Sequence, residues 1–256
     1  MIVSTEAVVL KSMRYRETSK IVTLYTRRYG KLKVVAKGAR QPKSKFGGLL
    51  EPITHVTAIF YRRENRDLHT LSQVDLQNGF FRIHADLDKL AAGLAVLDLA
   101  NAVFHDEEEN APAFGLLTET LRVLDAAAAG PRPILLAFEV RLAALLGFQP
   151  QFRSCGVCGR DLPSNGPEEA VMFDVAGGGF LCDRCEQKRT KKLKVSRRAQ
   201  TTLQALMTHP LDRVANLSLG SDLDRELGEL LSSYLRFHVA ARSLFGSDAV
   251  LSKLVH

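Results

Sequence analysis

The chain contains no run of roughly 20 uncharged apolar residues, so no segment of it suggests a membrane span. Its longest apolar stretch, Leu90 to Phe104, is interrupted by Asp98 and Asn101. The opening Met1-Ile2-Val3-Ser4-Thr5-Glu6 lacks the basic-then-apolar order of a signal peptide, and the expectation is a cytoplasmic protein. Cysteine is scarce, with four residues in 256. In a reducing compartment four thiols point to metal or redox chemistry and away from disulfides. Also missing are the Gly-x-x-x-x-Gly-Lys-Ser/Thr loop, His-Glu-x-x-His and Gly-x-Ser-x-Gly, and the histidines are scattered. With neither a nucleophile nor a catalytic metal constellation, the residues argue for a binding protein and not an enzyme.

What is present is an ordinary globular composition, 46% hydrophobic and 25% charged, long enough for two or three modules. The net charge of +7 is unevenly spread. Residues 1–81 hold 15 Lys/Arg against 6 Asp/Glu, and 151–198 hold 10 against 6. Residues 82–150 are acidic, with 5 against 10, and 199–256 nearly balance, with 5 against 6. Two basic segments flanking an acidic one suggest polyanion-binding surfaces, a solubility surface being the plainer reading.

Five runs rich in β-branched and aromatic residues fall at about 3–10, 20–26, 31–37, 53–61 and 67–75. Five short strands suit a small closed barrel, of OB or SH3 type. Along Lys31 to Lys37, Leu32, Val34 and Ala36 alternate into a core while Lys31, Lys33 and Lys37 share the outer face. The glycine- and proline-bearing stretch Gly38 to Gly48 reads as a loop carrying Arg40, Lys43 and Lys45. From about residue 82 the period turns helical. Leu87, Leu90, Leu94 and Leu97 form one expected core stripe, and Phe114, Leu117, Leu121 and Leu124 a second. Phe138, Leu142 and Leu145 follow Pro131 and Pro133, with Gly147 placed to end that helix. Ala199, Leu203 and Leu206, then Leu223, Leu227, Leu230, Tyr234 and Phe237, mark two more, the last opening on Ser221 and Asp224 as a capping box. The run Asp106-Glu107-Glu108-Glu109 reads as a solvated face in preference to a magnesium site.

The strongest local signal is Cys155-x-x-Cys158 followed, after 23 residues, by Cys182-x-x-Cys185. Two such pairs can clamp one tetrahedral zinc ion through four thiolates, and a closed site of that kind is structural. The spacing slightly exceeds the usual 15–20 or so residues, and Val171 to Val175 with Phe180-Leu181 read as a hairpin that fills the excess. Beyond it Lys188, Arg189, Lys191, Lys192, Lys194, Arg197 and Arg198 place seven cations in eleven positions, a second polyanion-binding candidate.

Several of these stretches resemble the bacterial RecO family. Glu6-Ala7-Val8-Val9-Leu10-Lys11, Glu17 to Leu24, Tyr29-Gly30-Lys31-Leu32 and Val35 to Arg40 with Pro42-Lys43-Ser44 carry the resemblance most specifically. Leu145 to Pro150 and Phe180-Leu181-Cys182 extend it to about residue 200. The chain departs from the family at Leu244-Phe245-Gly246-Ser247-Asp248, where many members carry a basic, serine-containing segment. The resemblance implies an α+β multidomain protein: an OB-fold β-barrel (1–81), an α-helical domain (82–150 and 191–256) and an inserted four-cysteine zinc ribbon (151–190). It implies binding of single- and double-stranded DNA, annealing of complementary strands, and loading of RecA with RecR onto DNA coated by single-strand DNA-binding protein. It further implies that the helical domain takes that protein's acidic C-terminal tail, where Arg122, Arg132 and Arg141 are the few cations. On this reading Lys31, Lys33, Lys37, Arg40, Lys43, Lys45, Lys191, Lys192, Lys194, Arg197 and Arg198 contact DNA, and Tyr15, Tyr25 and Phe46 either stack bases or fill the core. An RNA-binding factor or RNA-processing enzyme with a barrel and zinc ribbon is the alternative.

Overall fold

A computed structural model of the chain describes residues 1–63, 66–162 and 170–243, with side chains through residue 238. The departure at Leu244–Asp248 lies outside the described residues. The chain divides into two compact units, Met1–Ala126 and Ala127–His256.

The first unit opens with five strands: β1 (Ile2–Tyr15), β2 (Ser19–Thr26), β3 (Gly30–Ala36), β4 (His55–Tyr61) and β5 (Leu68–Asn78). They close into a barrel in the order β1-β2-β3-β5-β4, with β3 and β5 parallel and the other pairs antiparallel. That order, with its one parallel pair, is OB-like. Strand β1 is long enough to serve both sides because its register against β2 shifts between Val9 and Lys11, a bulge that bends the strand. Alternation places Val22, Leu24, Leu32, Val34, Val56, Ala58, Phe60 and Leu71 inside the barrel.

Helices α1 (Phe81–His84), α2 (Leu87–Val103) and α3 (Ala111–Ala126) complete this unit. Asp86 caps α2 by accepting from the backbone N–H groups of Asp88 and Lys89. The expected stripe on α2 is corrected. Leu97 is buried, but Leu87 is 84% and Leu94 41% exposed, while Ala92, Gly93, Val96, Leu99, Ala100 and Val103 face inward. The helix is apolar nearly all round, so two stripes compete and the one with small residues packs closer. Gly93 shows why, since a Cβ there would meet Ile53 Cδ1 at 2.9 Å. Leu145, assigned to the core of its own helix, is likewise 40% exposed. The stripe of α3 is buried as expected.

The acidic run is exposed as expected, and two of its members also pair with the barrel. Asp106 forms a bridge with Lys31 and the Glu107 N–H donates to the Lys31 carbonyl at 2.8 Å. The Asp106 carboxylate lies 3.4 Å from Lys31 Nζ, and Glu107 accepts from Arg62 at 2.6 Å. Gly30, at φ +60°, permits this contact. A Cβ there would stand 2.2 Å from the Glu108 carbonyl oxygen.

The second unit contains α4 (Arg132–Leu145), β6 (Ala170–Asp174), β7 (Gly179–Leu181), α5 (Asp183–Glu186), β8 (Lys192–Ser196), α6 (Arg197–Thr208), α7 (Leu211–Val214) and α8 (Ser221–Ser243). The hairpin β6–β7 exists, and β8 adds to its other side in the order β7-β6-β8. Gly178, at φ +67°, makes the turn into β7. A Cβ there would meet the Tyr234 hydroxyl at 2.7 Å. Tyr234 donates to the Phe148 carbonyl at 2.8 Å and packs edge-on against Phe173, which ties α8 to the hairpin. Asp224, in the first turn of α8, accepts from Arg132 Nε at 2.5 Å.

Candidate nucleic-acid interface and metal centre

The four cysteines meet although 23 residues separate the pairs. Gly156 N–H donates to the Phe180 carbonyl, which seats the first knuckle on β7, and Cys185 N–H donates to the Cys182 carbonyl, which closes the second. All four Sγ atoms lie within 4.8 Å of one another, with Cys158 and Cys182 at 3.7 Å, and none is in a disulfide. Tetrahedral zinc with bonds of about 2.3 Å would set its sulfurs about 3.8 Å apart, so the donor set fits a metal ion of that kind. The thiols also influence one another. Burial would raise Cys155, yet backbone N–H groups of Cys158, Cys182 and Val157 hold it down at about 6. Burial and the neighbouring sulfurs push Cys185 up to about 12. As thiolates the four sulfurs at this spacing can share one metal cation.

On the barrel, the end of β1, the start of β2 and the β3–β4 loop enclose an open cleft of about 520 Å³. Ser12, Met13, Arg14, Lys20, Ala39, Arg40 and Glu51 line it. Three of these side chains are cationic against one carboxylate, and Lys20 pairs with that carboxylate at 2.6 Å. Arg14 and Lys20 face each other across the β1–β2 register. Sequence reading missed both, although each is a cation at the end of an apolar-alternating strand. Arg40 bridges two loops, its N–H donating to Thr18 and its guanidinium to the Glu17 carbonyl at 2.8 Å. Lys33, Lys37, Lys43 and Lys45 are exposed. Lys31 is half-buried, and its Nζ donates to the Asn101 carbonyl at 2.9 Å. Tyr25 and Phe46 are each only 1% exposed, with Tyr25 stacked on Phe104 at 4.1 Å, so both belong to the core. Tyr15 remains partly exposed, with Arg16 above its ring.

The second basic segment runs from the connection after α5 through β8 into the first turn of α6. Several of its cations are engaged within the unit. Arg189 pairs with the buried Asp174 at 3.1 Å, Lys192 donates to the Glu186 carbonyl, and Lys191 stands over the Phe237 ring at 5.0 Å. Lys194 and Arg198 are exposed, and Arg197 is half-buried. The cations named for a protein contact are committed too: Arg122 to Glu119, Arg132 to Asp224, and Arg141 to the Leu206 and His209 carbonyls.

An OB-like barrel, a helical region and a four-thiol knuckle define a modular α+β protein of the barrel-and-metal-ribbon class. No helix among the described residues is long and apolar enough to cross a membrane. The family models for the Recombination protein O N terminal and C terminal match residues 1–80 and 84–244. The chain is 33% identical to the DNA repair protein RecO of Desulforamulus reducens over 91% of its own length and 88% of that protein. It is 30% identical to that of Chloroherpeton thalassium over the whole of both, and 33% to that of Anaeromyxobacter dehalogenans over 94% and 92%. The chain belongs to the RecO family of DNA repair proteins.

Proposed function

We propose that this chain is a recombination mediator that works by binding and not by catalysis. It holds single- and double-stranded DNA, anneals complementary strands, and acts with RecR to load RecA where single-strand DNA-binding protein coats the strand. It operates in the cytoplasm at the nucleoid, with one structural zinc ion held by Cys155, Cys158, Cys182 and Cys185. Its helical part takes the acidic tail of the single-strand DNA-binding protein.

The observation that carries the DNA reading is the cation-rimmed cleft, with Arg14, Lys20 and Arg40 in its wall and Lys37, Lys43 and Lys45 exposed nearby. Lys33 extends that surface along β3, while the pairing of Lys31 with Asp106 makes it the weakest contributor. Lys194, Arg197 and Arg198, with Lys191 and Lys192, offer cations for a second backbone. A surface that neutralises phosphates on two strands removes their repulsion, and base pairing then supplies the free energy of annealing.

The test is an annealing assay with complementary DNA strands, with RNA strands of the same sequence in parallel. DNA annealing well above the spontaneous rate is expected. Failure with DNA and success with RNA would transfer the reading to an RNA-binding factor.

A further inference from the structure

A second cleft lies wholly within the second unit, beside the metal knuckle. Phe152, Arg153, Asp161 and Leu162 form one wall, and Gln200, Thr201 and Gln204 of α6 form the other. Its volume is about 460 Å³, inside the range of roughly 300–1,000 Å³ usual for ligand pockets. The knuckle itself shapes the first wall. The Leu162 N–H donates to the Arg153 carbonyl at 2.7 Å, and Ser154 bridges Asp161, which closes the loop that carries Cys155 and Cys158.

The polar groups here are mostly assigned, with one exception. Gln204, with its amide oxygen towards Arg153, accepts from Nε and Nη2 at 2.8 and 3.0 Å. Thr201 Oγ1 donates to the carbonyl of Arg198. Gln200 is only 5% exposed, and its Nε2 donates to the Phe152 carbonyl at 2.8 Å. Its Oε1 has no partner among the described residues and is closed to solvent, so a ligand donor meets it only when the Gln200 amide turns towards the cleft, which would relieve the standing cost of a buried acceptor without a donor. The wall thus holds one cation and one carboxylate alongside neutral amide, hydroxyl and apolar surface. It suits a neutral, flat ligand with hydrogen-bond donors on its edge. An anion would meet Asp161. The phosphates of such a ligand would fall outside, where α6 begins with Arg197 and Arg198, one turn before Gln200 and Thr201.

We propose that this cleft is a subsite for one unpaired nucleobase, with Gln200 Oε1 and the Asp161 carboxylate accepting from its edge. The proposal rests on the DNA reading above and adds a base-contacting point to a surface otherwise described by its charge. It also distinguishes unpaired from paired strands, because a base within a duplex has its edge occupied.

The chain has no tryptophan, which makes a direct test available. Thr201 is exposed at the cleft, so Thr201→Trp places a single indole there. The full-length, zinc-loaded variant is titrated with oligodeoxycytidine, whose exocyclic amino group offers two hydrogens to acceptors, with an abasic strand of equal phosphate count, and with an acidic peptide, while overall binding is followed by anisotropy. Oligodeoxycytidine should quench the indole and the abasic strand should not. Adding Gln200→Met should reduce the preference for deoxycytidine over abasic strand about tenfold, the scale of one good base contact. Equal quenching by both strands, or quenching by the peptide alone, overturns the base subsite while anisotropy shows DNA binding intact. Absence of any anisotropy change overturns the subsite and the DNA reading together. If Gln200→Met does not fold, the indole comparison decides alone.

Discussion

The two basic segments of this chain look alike in sequence and behave differently in the fold. In the barrel unit the cations sit on a loop and strand face that the core does not use, so Lys33, Lys37, Lys43 and Lys45 stay exposed. In the second unit the basic run is itself structural. Arg189 and Lys192 hold a buried carboxylate and a helix-end carbonyl, and Lys191 stands over an aromatic ring as Lys45 does in the barrel; Arg189 and Lys191 remain exposed, as do Lys194 and Arg198. Among the described residues the barrel buries sixteen in one cluster, whereas the cysteine knuckle gathers four, three of them cysteines, beside the buried Phe173, Phe180 and Val195 of the sheet. A small module without a sufficient apolar core draws on metal and polar contacts for its stability.

The largest expected effect tests that contrast directly. Removing the metal with a strong chelator, or Cys182→Ser, should unfold the module around β6, β7 and β8 and leave the barrel folded. Amide exchange read by mass spectrometry should lose protection in 151–196 and keep it in 2–78. Uniform loss in both regions would show that the barrel depends on the metal, and no loss in either would show that the thiol cluster holds no structural ion.

A smaller effect separates the units by pH. In the second unit, burial chiefly, with Asp224 adding to it and Arg132 opposing, pushes the half-buried Glu139 carboxyl from 4.5 up to about 7. A raised carboxyl favours the folded state while protonated. Its contribution is therefore full below about 4.5 and is lost as pH rises towards 7, roughly 3 kcal/mol at most. Glu107 in the first unit moves the other way, held below its ordinary value by its hydrogen bond to Arg62. Its contribution is present above 4.5 and is lost as pH falls. Between pH 5 and 7, protection of α4 and α8 amides should thus decline while that of the α2–α3 connection stays level. Glu139→Gln should abolish the decline, and a decline that persists would assign it to another group.

Much of this was legible in the residues, for identifiable reasons. Strand positions came within a few residues because alternation in a small barrel is enforced by one closed core, and Leu32, Val34 and Ala36 had a single inward face available. The cysteine pairs were legible because ligand spacing is local on each side of the hairpin. Strand order was not, because an OB-like and an SH3-like barrel share their strand count and differ in one parallel pairing. Leu87 and Leu94 were misread because a helix apolar on every side carries no unique stripe. Tyr25 and Phe46 have the side chains of a stacking platform, and only the packing of Phe104 and the loop decides their burial. The acidic run needed its partners Lys31 and Arg62, distant in sequence, to be seen as a clasp.

The finest effect asks whether an exposed cation and an engaged one differ in DNA binding as the comparison requires. If about six cations touch single-stranded phosphates, log affinity should fall against log salt with a slope near −4. Lys43→Ala or Lys45→Ala should weaken binding to every sequence alike and flatten that slope by about 0.7. Arg198→Ala should do the same if the second segment holds a backbone of its own. Arg189→Ala should leave the slope unchanged and instead destabilise the metal module, because it strands the buried Asp174 carboxylate without its partner. Two outcomes would break the pattern. Charge reversal at Arg197 and Arg198 with slope and annealing rate unchanged would confine the DNA surface to the barrel. A full-size change in slope for Arg189→Ala, with amide protection of β6 and β8 intact, would show that its pairing with Asp174 gives way to phosphate, and that cations engaged in the apo fold still count in the complex.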